Sequence, residues 1–232
     1  MPETAEGCRG GVMSVNVDAA YIVVNSYIRR YGGCVPTPYH HGSLRQALLE
    51  QGRQVLAEQG LAAVTLRELA RRTGVSHGAP LRHFPDRESL LDALAAQGFD
   101  ELVDALVAAD LAGDLPSRLT VYAHTHVGFA VANGALMELM FSRDLRPEAS
   151  GGDAARAAAR FFALGAHMLG EPDPRELGPL PYLLAATLEG ISSLVAHGRL
   201  PEQRVEEVTA AAVEFMLPAI RDQLDRATPT AD

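Results

Sequence analysis

The sequence has no lysine, no tryptophan and only two cysteines among its 232 residues. Cys8 and Cys34 cannot build a disulfide framework, so a reducing, cytoplasmic location is expected. No apolar run approaches the ~20 residues needed to cross a bilayer. No basic start leads into a long apolar stretch either. We therefore predict neither a membrane partner nor a secretory signal.

Motifs for catalysis and metal binding are also lacking. The sequence has no Gly-x-Ser-x-Gly elbow, no phosphate-cradling glycine loop and no His-Glu-x-x-His. His124 and His126 are two positions apart, so on a helix they point in different directions and do not form a metal pair. The sequence predicts no enzyme, no cofactor and no metal site.

Leucine and alanine dominate what is present, and 47% of the residues are hydrophobic. Proline and glycine recur at helical intervals, which predicts an all-α fold of about nine helices. Pro218 should kink or interrupt the last of them. The helices are expected before Gly60, between Thr65 and Gly74, from Ser76, and at 86–109, 117–133, 136–142, 153–169, 181–197 and 202–226, with a loop at 146–152.

Residues 65–92 are the most informative stretch. Thr65 and Glu68 form a capping box, and Gly74 suits the left-handed position that ends a helix. Ser76 and Asp86 are good N-caps for the next two helices. Two short helices joined by a tight turn are typical of a helix-turn-helix, whose second helix lies in the major groove of DNA.

Three segments, at 40–49, 65–75 and 83–91, together resemble the N-terminal DNA-binding domain of the TetR/AcrR family of bacterial repressors. The resemblance implies a helix-turn-helix domain at 40–86, a larger ligand-binding and dimerisation domain at 87–226 and a tail at 227–232. It also implies a homodimer that binds a pseudo-palindromic operator in double-stranded DNA and responds to a small-molecule effector.

The same resemblance assigns DNA-contacting residues. Two positions depart from the family pattern, because Leu81 stands where a tyrosine is common and Pro80 lies within the short recognition helix. The residues expected to contact the DNA groove or its edge are Thr65, Arg67, Ser76, His77, Gly78 and Ala79. Those expected to bind phosphates are Arg82, His83 and Arg87. For Arg82 and Arg87 the alternative is a solvated surface charge.

Charge is distributed unevenly along the chain. The net charge is −9, yet residues 40–90 hold seven arginines against five carboxylates, whereas residues 91–232 hold ten against twenty-one. A basic patch on an acidic body is expected when one end of a protein meets phosphate. The excess is small and supports DNA binding without deciding it.

Residues 1–39 do not fit the family pattern. The favoured interpretation is a disordered extension, with Met13 as one alternative start of the protein. A minor-groove arm using Arg29 and Arg30 and a packed extra element are the alternatives.

The C-terminal half is rich in methionine and phenylalanine at helical spacing. An interior of this kind suits an adaptable pocket for an apolar or aromatic effector, although ordinary core is the alternative. The candidate pocket residues are Tyr122, His126, Phe129, Met137, Met140, Phe141, Phe161, Phe162, His167 and Glu189. The region weakly resembles a subgroup with a tryptophan and a His-Gly pair, where this chain has Ala185 and Glu189-Gly190.

The helices at 181–197 and 202–226 predict a dimer. The first is small or apolar nearly all round, and the second carries its own apolar stripe. A twofold four-helix bundle would cover both, whereas two ordinary core helices are the alternative. For the whole chain, a small-molecule binding protein whose DNA binding has lapsed and a helical enzyme are the alternative functions.

Overall fold

The computed structural model describes residues 44–141, 152–170 and 178–227, and within them the chain forms eight α-helices and no strand. The all-α prediction is confirmed, and this count is close to the nine expected. The predictions for residues 1–39, for the tail beyond 227 and for most of the 146–152 loop lie outside the described residues. The helices are α1 (Leu44–Gln59), α2 (Leu66–Thr73), α3 (Arg87–Ala108), α4 (Leu115–Ala132), α5 (Gly134–Met140), α6 (Asp153–Leu169), α7 (Pro179–Ala196) and α8 (Val205–Ala227).

Side-chain caps determine where several helices begin. The Thr65 hydroxyl accepts a 3.2 Å hydrogen bond from the Glu68 amide and caps α2. Asp86 caps α3 by accepting from the Ser89 amide at 2.7 Å. Gly74 then ends α2 in the left-handed region, at φ 71°. Thr65 and Gly74 thus bound the first helix of the helix-turn-helix, and Asp86 begins the helix that follows it, as the sequence predicts.

The predicted helix from Ser76 is the exception. The amides of Ala79, Arg82 and His83 each donate to the carbonyl three residues earlier, and Pro80–Arg82 forms a short 3₁₀ helix. Pro80 has no amide with which to continue an α-helical ladder. The expectation that Ser76 caps an α-helix is therefore wrong, and the segment folds as a succession of tight turns.

Helix α3 connects the two ends of the protein. It packs most extensively against α6 and also contacts α1, α4 and α5. At Gly98 an added Cβ would lie 2.6 Å from the Met140 sulfur, so the glycine allows α3 and α5 to approach closely. One contiguous core runs from Leu48 in α1 to Ile220 in α8. The division into two domains at residue 86 stays a prediction.

The last two helices leave much apolar surface uncovered. Pro218 lies inside α8, which continues from Val205 to Ala227, so the helix is not interrupted there. By length and composition alone α7 could cross a membrane, although the core helix of a soluble protein meets the same test. Only 39% of α7 is buried within the protein, so more than half of its residues are partly or fully exposed.

Candidate functional site

Two arginines of α2 are committed to an internal network. Arg71 donates to Glu68 at 2.8 and 2.6 Å. Arg72 bridges Glu68 at 3.1 Å and Glu58 at 2.8 Å. These hydrogen bonds from Arg71 and Arg72 lower the pKa of Glu68 to about 2. Both guanidinium groups are therefore already paired with carboxylates of α1 or α2.

A second set of basic side chains is exposed. Within the described part of the chain, no hydrogen bond or ion pair occupies Arg67, His77, Arg82 or His83. Helix α2 packs against the 3₁₀ turn, so these residues lie on adjoining elements. Of the other residues expected at the groove, Ser76 and Gly78 are exposed, and Thr65 and Ala79 are half-buried.

This exposed surface has a firm support. Pro80 and Phe84 are buried beneath it, and the Phe84 amide donates to the Pro80 carbonyl at 2.9 Å. The guanidinium of Arg45 lies over the Phe84 ring, 5.2 Å from its centroid. The turns between Ser76 and His83 are thus anchored on the core although they do not form an α-helix.

Arg87 is placed differently from the other predicted phosphate contacts. Its Nε donates to the Val64 carbonyl at 2.8 Å and its Nη2 to the Leu61 carbonyl at 2.7 Å. Its Nη1 lies 3.6 Å from Glu88. The side chain thereby fastens the start of α3 to the turn that precedes α2, and we interpret it as a positioning residue.

A groove of about 480 Å³ borders the exposed surface near His83. Four carboxylates line it, from Asp86, Glu88, Asp92 and Asp153. Because carboxylates repel phosphate, the groove marks the edge of the basic surface. Asp92 also accepts a 2.8 Å hydrogen bond from the Asp153 amide, at the start of α6.

Most of the predicted pocket residues do meet in the interior. Phe161 is the centre of an aromatic cluster, with the rings of Phe162, His126 and Phe141 at 5.2, 5.7 and 6.2 Å. Tyr122, Met137 and Met140 are buried close by in the same core, and Phe129 is half-buried. His167 lies apart, because its side chain is exposed near the end of α6.

A buried histidine and a half-buried glutamate lie beside this cluster. His126 is fully buried, and its Nε2 lies 4.0 Å from the Glu189 Oε2. Neither ring nitrogen of His126, nor this Glu189 oxygen, has a hydrogen-bond partner among the described residues. Burial lowers the pKa of His126 to about 4 and raises that of Glu189 to about 7. Buried polar atoms without a hydrogen-bond partner are costly to the stability of a fold.

Some residues that are important for the structure could not be identified from the sequence. Arg53 of α1 donates to Glu101 at 2.6 Å and to Asn133 at 3.0 Å, across 48 and 80 positions of sequence. Phe99 joins the aromatic cluster, 5.3 Å from Phe141. No local signal marks such long-range partners. Among the described residues, no group of three or more histidine, cysteine or acidic side chains is arranged to hold a metal ion.

The chain is similar to known proteins both in sequence and in fold. The family model for bacterial regulatory proteins of the tetR family matches residues 48–94, which contain α2, the turns and the start of α3. A solved structure of a protein of unknown function from Rhodococcus sp. RHA1 is 35% identical, with a TM-score of 0.67. The match covers 79% of this chain and 98% of that one.

Two curated relatives share shorter segments. The HTH-type transcriptional regulator Rv1816 of Mycobacterium tuberculosis is 28% identical over 123 residues, which cover 50% of this chain and 53% of the relative. The HTH-type transcriptional repressor AcnR of Corynebacterium glutamicum is 45% identical over 53 residues, 23% of this chain and 28% of that protein. The chain thus spans about half the length of the first relative. Together, the matched helix-turn-helix, the helical fold and these relatives show that the chain belongs to the tetR family of bacterial regulatory proteins.

Proposed function

We propose that this protein is a transcriptional repressor that binds double-stranded DNA through the turns at Ser76–His83 and the adjoining α2. One observation carries the proposal: the exposed cations Arg67 and Arg82, and the exposed His77, have no partner among the described residues, whereas Arg71 and Arg72 are held by carboxylates. Unpaired cations on an anchored surface are what a phosphate-rich ligand requires. The name of the AcnR relative supports repression.

The contacts divide into two kinds in this proposal. Arg82 and His83 bind phosphates and position the protein, a contact that carries no sequence information. His77 and Arg67 reach base edges, with Thr65, Ser76, Gly78 and Ala79 at the groove or its edge. Arg87 holds the start of α3 from inside, through its bonds to the Leu61 and Val64 carbonyls.

The active form in this proposal is a homodimer. Large apolar side chains are exposed on α7 and α8: Tyr182, Leu183, Leu194 and Phe215. A second copy that packs α7 and α8 against its own would cover them as a four-helix bundle. Two DNA-binding surfaces about 34 Å apart would then meet successive major grooves of a pseudo-palindrome.

A small molecule regulates this dimer in our proposal. The aromatic cluster around Phe161, the buried His126 and the half-buried Glu189 offer apolar surface with polar groups to orient an effector. Helix α3 runs from the DNA-binding turns to this cluster, where it contributes Phe99. An effector that favours another position of α3 would release DNA through its differential affinity for the two states.

Footprinting the purified full-length protein on DNA from around its own gene tests the proposal. We expect protection of two half-sites about one helical turn apart and an affinity that falls steeply with salt, by about 0.9 in log–log slope per phosphate contact. Arg82→Ala should weaken all duplexes alike, whereas His77→Ala should change sequence preference. Absence of any site-specific protection would contradict the DNA-binding function.

A further inference from the structure

Leu81 is an apolar side chain on an otherwise polar and basic surface. It is 53% exposed, and its neighbours Arg82, His83 and His77 are exposed as well. Single exposed leucines are common on protein surfaces and need no explanation by themselves. This one differs because of its position, in the middle of the turns that the family match and the proposed function direct to DNA.

The local backbone leaves Leu81 open to approach. Pro80–Arg82 is a 3₁₀ helix, and residues three apart in such a helix lie in line with each other. The turn before it is closed by the Ala79 amide, which donates to the Ser76 carbonyl, and this turn contains Gly78, three residues before Leu81. A Cβ added to Gly78 would meet nothing within 4 Å. No side chain at position 78 therefore screens Leu81 from a partner.

The chemistry of a leucine restricts what it can contact on DNA. An isobutyl group neither donates nor accepts hydrogen bonds, so it cannot bind a phosphate oxygen or a polar base edge. In the major groove the C5-methyl group of thymine is the apolar feature of the base edges. The open space at Gly78 leaves room beside Leu81 for the groove to approach.

We propose that Leu81 reads a thymine by contacting its C5-methyl group, once in each half-site, and that Gly78 provides the clearance for this contact. The inference rests on the proposed DNA-binding function and deepens it, because it names one base that the operator must contain. His77 and Arg82 supply polar contacts on either side of the apolar one.

Replacement of each operator thymine by deoxyuridine tests this contact, because uracil lacks only the methyl group. Once footprinting of the full-length protein has located the operator, each substituted duplex is titrated with wild type and with Leu81→Ala. Loss of one methyl contact corresponds to roughly three- to fivefold weaker binding, at ~0.8 kcal/mol for a buried CH₂ group. We expect this loss for wild type at one thymine per half-site, and no loss there for Leu81→Ala.

Two further variants complete the design. Gly78→Val should leave the thermal midpoint unchanged, since its side chain enters open space, and should weaken binding by hindering approach. Val131→Ala, at an exposed apolar residue of α4, is the matched control and should keep the deoxyuridine pattern of wild type. Thymines that tolerate uracil serve as controls within the same duplex.

The outcomes separate this inference from the function on which it rests. Specific binding with equal deoxyuridine effects in wild type and Leu81→Ala would overturn the thymine contact and leave the DNA-binding function intact. Unchanged affinity in Gly78→Val would overturn the role of the glycine. Absence of specific binding to any duplex would overturn both proposals together.

Discussion

The Asp92 carboxylate of α3 accepts a 2.8 Å hydrogen bond from the backbone amide of Asp153, the first residue of α6. The preceding Gly152 makes this contact possible, because a Cβ there would lie 2.5 Å from the Asp92 Oδ1. An aspartate 61 positions away thus caps α6, whose own N-cap residue has no side chain to do so. The capping bond joins the helix that follows the turns at Ser76–His83 to its main packing partner.

Removal of this cap should destabilise the fold. Asp92→Ala leaves an amide at the start of α6 without its acceptor, and we expect a loss of about 1 kcal/mol in the free energy of unfolding. Asp92→Asn keeps an acceptor oxygen and should lose less. Urea unfolding of the two variants measures the difference, and equal stability of Asp92→Ala and wild type would show that the cap contributes nothing.

Replacement of Arg82 should affect DNA affinity, whereas replacement of Arg87 should affect the stability of the fold. Arg87→Ala removes two hydrogen bonds to the carbonyls of Leu61 and Val64, so we expect the free energy of unfolding to fall by about 1–3 kcal/mol. Arg82 has no partner among the described residues, so Arg82→Ala should keep the stability of wild type. DNA binding by Arg82→Ala should depend less steeply on salt than binding by wild type, by the equivalent of roughly one phosphate contact per protomer.

Thermal unfolding and salt titrations on one duplex check both halves of this prediction. Arg87→Lys is the informative companion variant, because an ammonium cannot reproduce two bonds from one planar group. If Arg82→Ala instead lowered stability as much as Arg87→Ala, the assignment of Arg82 to the outer surface would be wrong.

Local signals in the sequence predict some elements of this fold more closely than others. Caps such as Thr65 and Asp86 are local signals, so the sequence predicts the limits of α2 and α3 closely. The segment from Ser76 differs from the predicted α-helix, because Ser76 is a local N-cap signal whereas Pro80 has no amide to continue the helix. The partners of Arg87 and Asp92 are distant in sequence, and only tertiary packing brings them together.

The candidate pocket shows the same limit. Helical spacing brings Tyr122 and His126 to one face of α4, and both are buried as expected. Helical spacing does not predict that Glu189 of α7 comes within 4.0 Å of His126. Nor does it predict that His167 is exposed and lies apart from the rings near Phe161. Periodicity determines the face of a helix and leaves open which neighbour covers that face.

Glu189 should make the protein less stable at alkaline pH. Its pKa is about 7 in the folded protein, above the usual 4.5, because burial favours the protonated form. Stability is therefore lost as pH rises from about 4.5 through 7. Glu189→Gln stays uncharged and should exceed wild type at pH 8 by about 1–2 kcal/mol, a value reduced for the partial exposure of the side chain.

The neighbouring histidine acts in the opposite direction. Burial lowers the pKa of His126 to about 4 from 6.5, so stability is lost as pH falls between these values. Urea unfolding of Glu189→Gln and wild type at pH 8 therefore isolates the carboxyl group. Lower stability of Glu189→Gln at pH 8 would instead indicate that a charged Glu189 is held by His126.

Phe215 provides the sharpest test of the dimer. Its ring is 86% exposed in α8, and it lies on a helix that packs against the largely uncovered α7. In a dimer that covers this ring, Phe215→Asp places a carboxylate in an apolar interface. Near the twofold axis, the two introduced carboxylates would also face each other. We expect the dimer dissociation constant to rise at least ~30-fold, the scale of an interface residue worth 2 kcal/mol.

Sedimentation equilibrium over a concentration series measures this change directly. Val131→Asp introduces the same charge at an exposed apolar residue of α4, outside the predicted interface, and should leave the dimer intact. Because the exposed ring contributes little to the fold of one protomer, circular dichroism of Phe215→Asp should remain helical. A monomeric Phe215→Asp would then bind a single half-site weakly and lose the protection of the full operator, since the two contacts would no longer be linked. A variant that sediments as wild type does would rule out α8 as the centre of the interface.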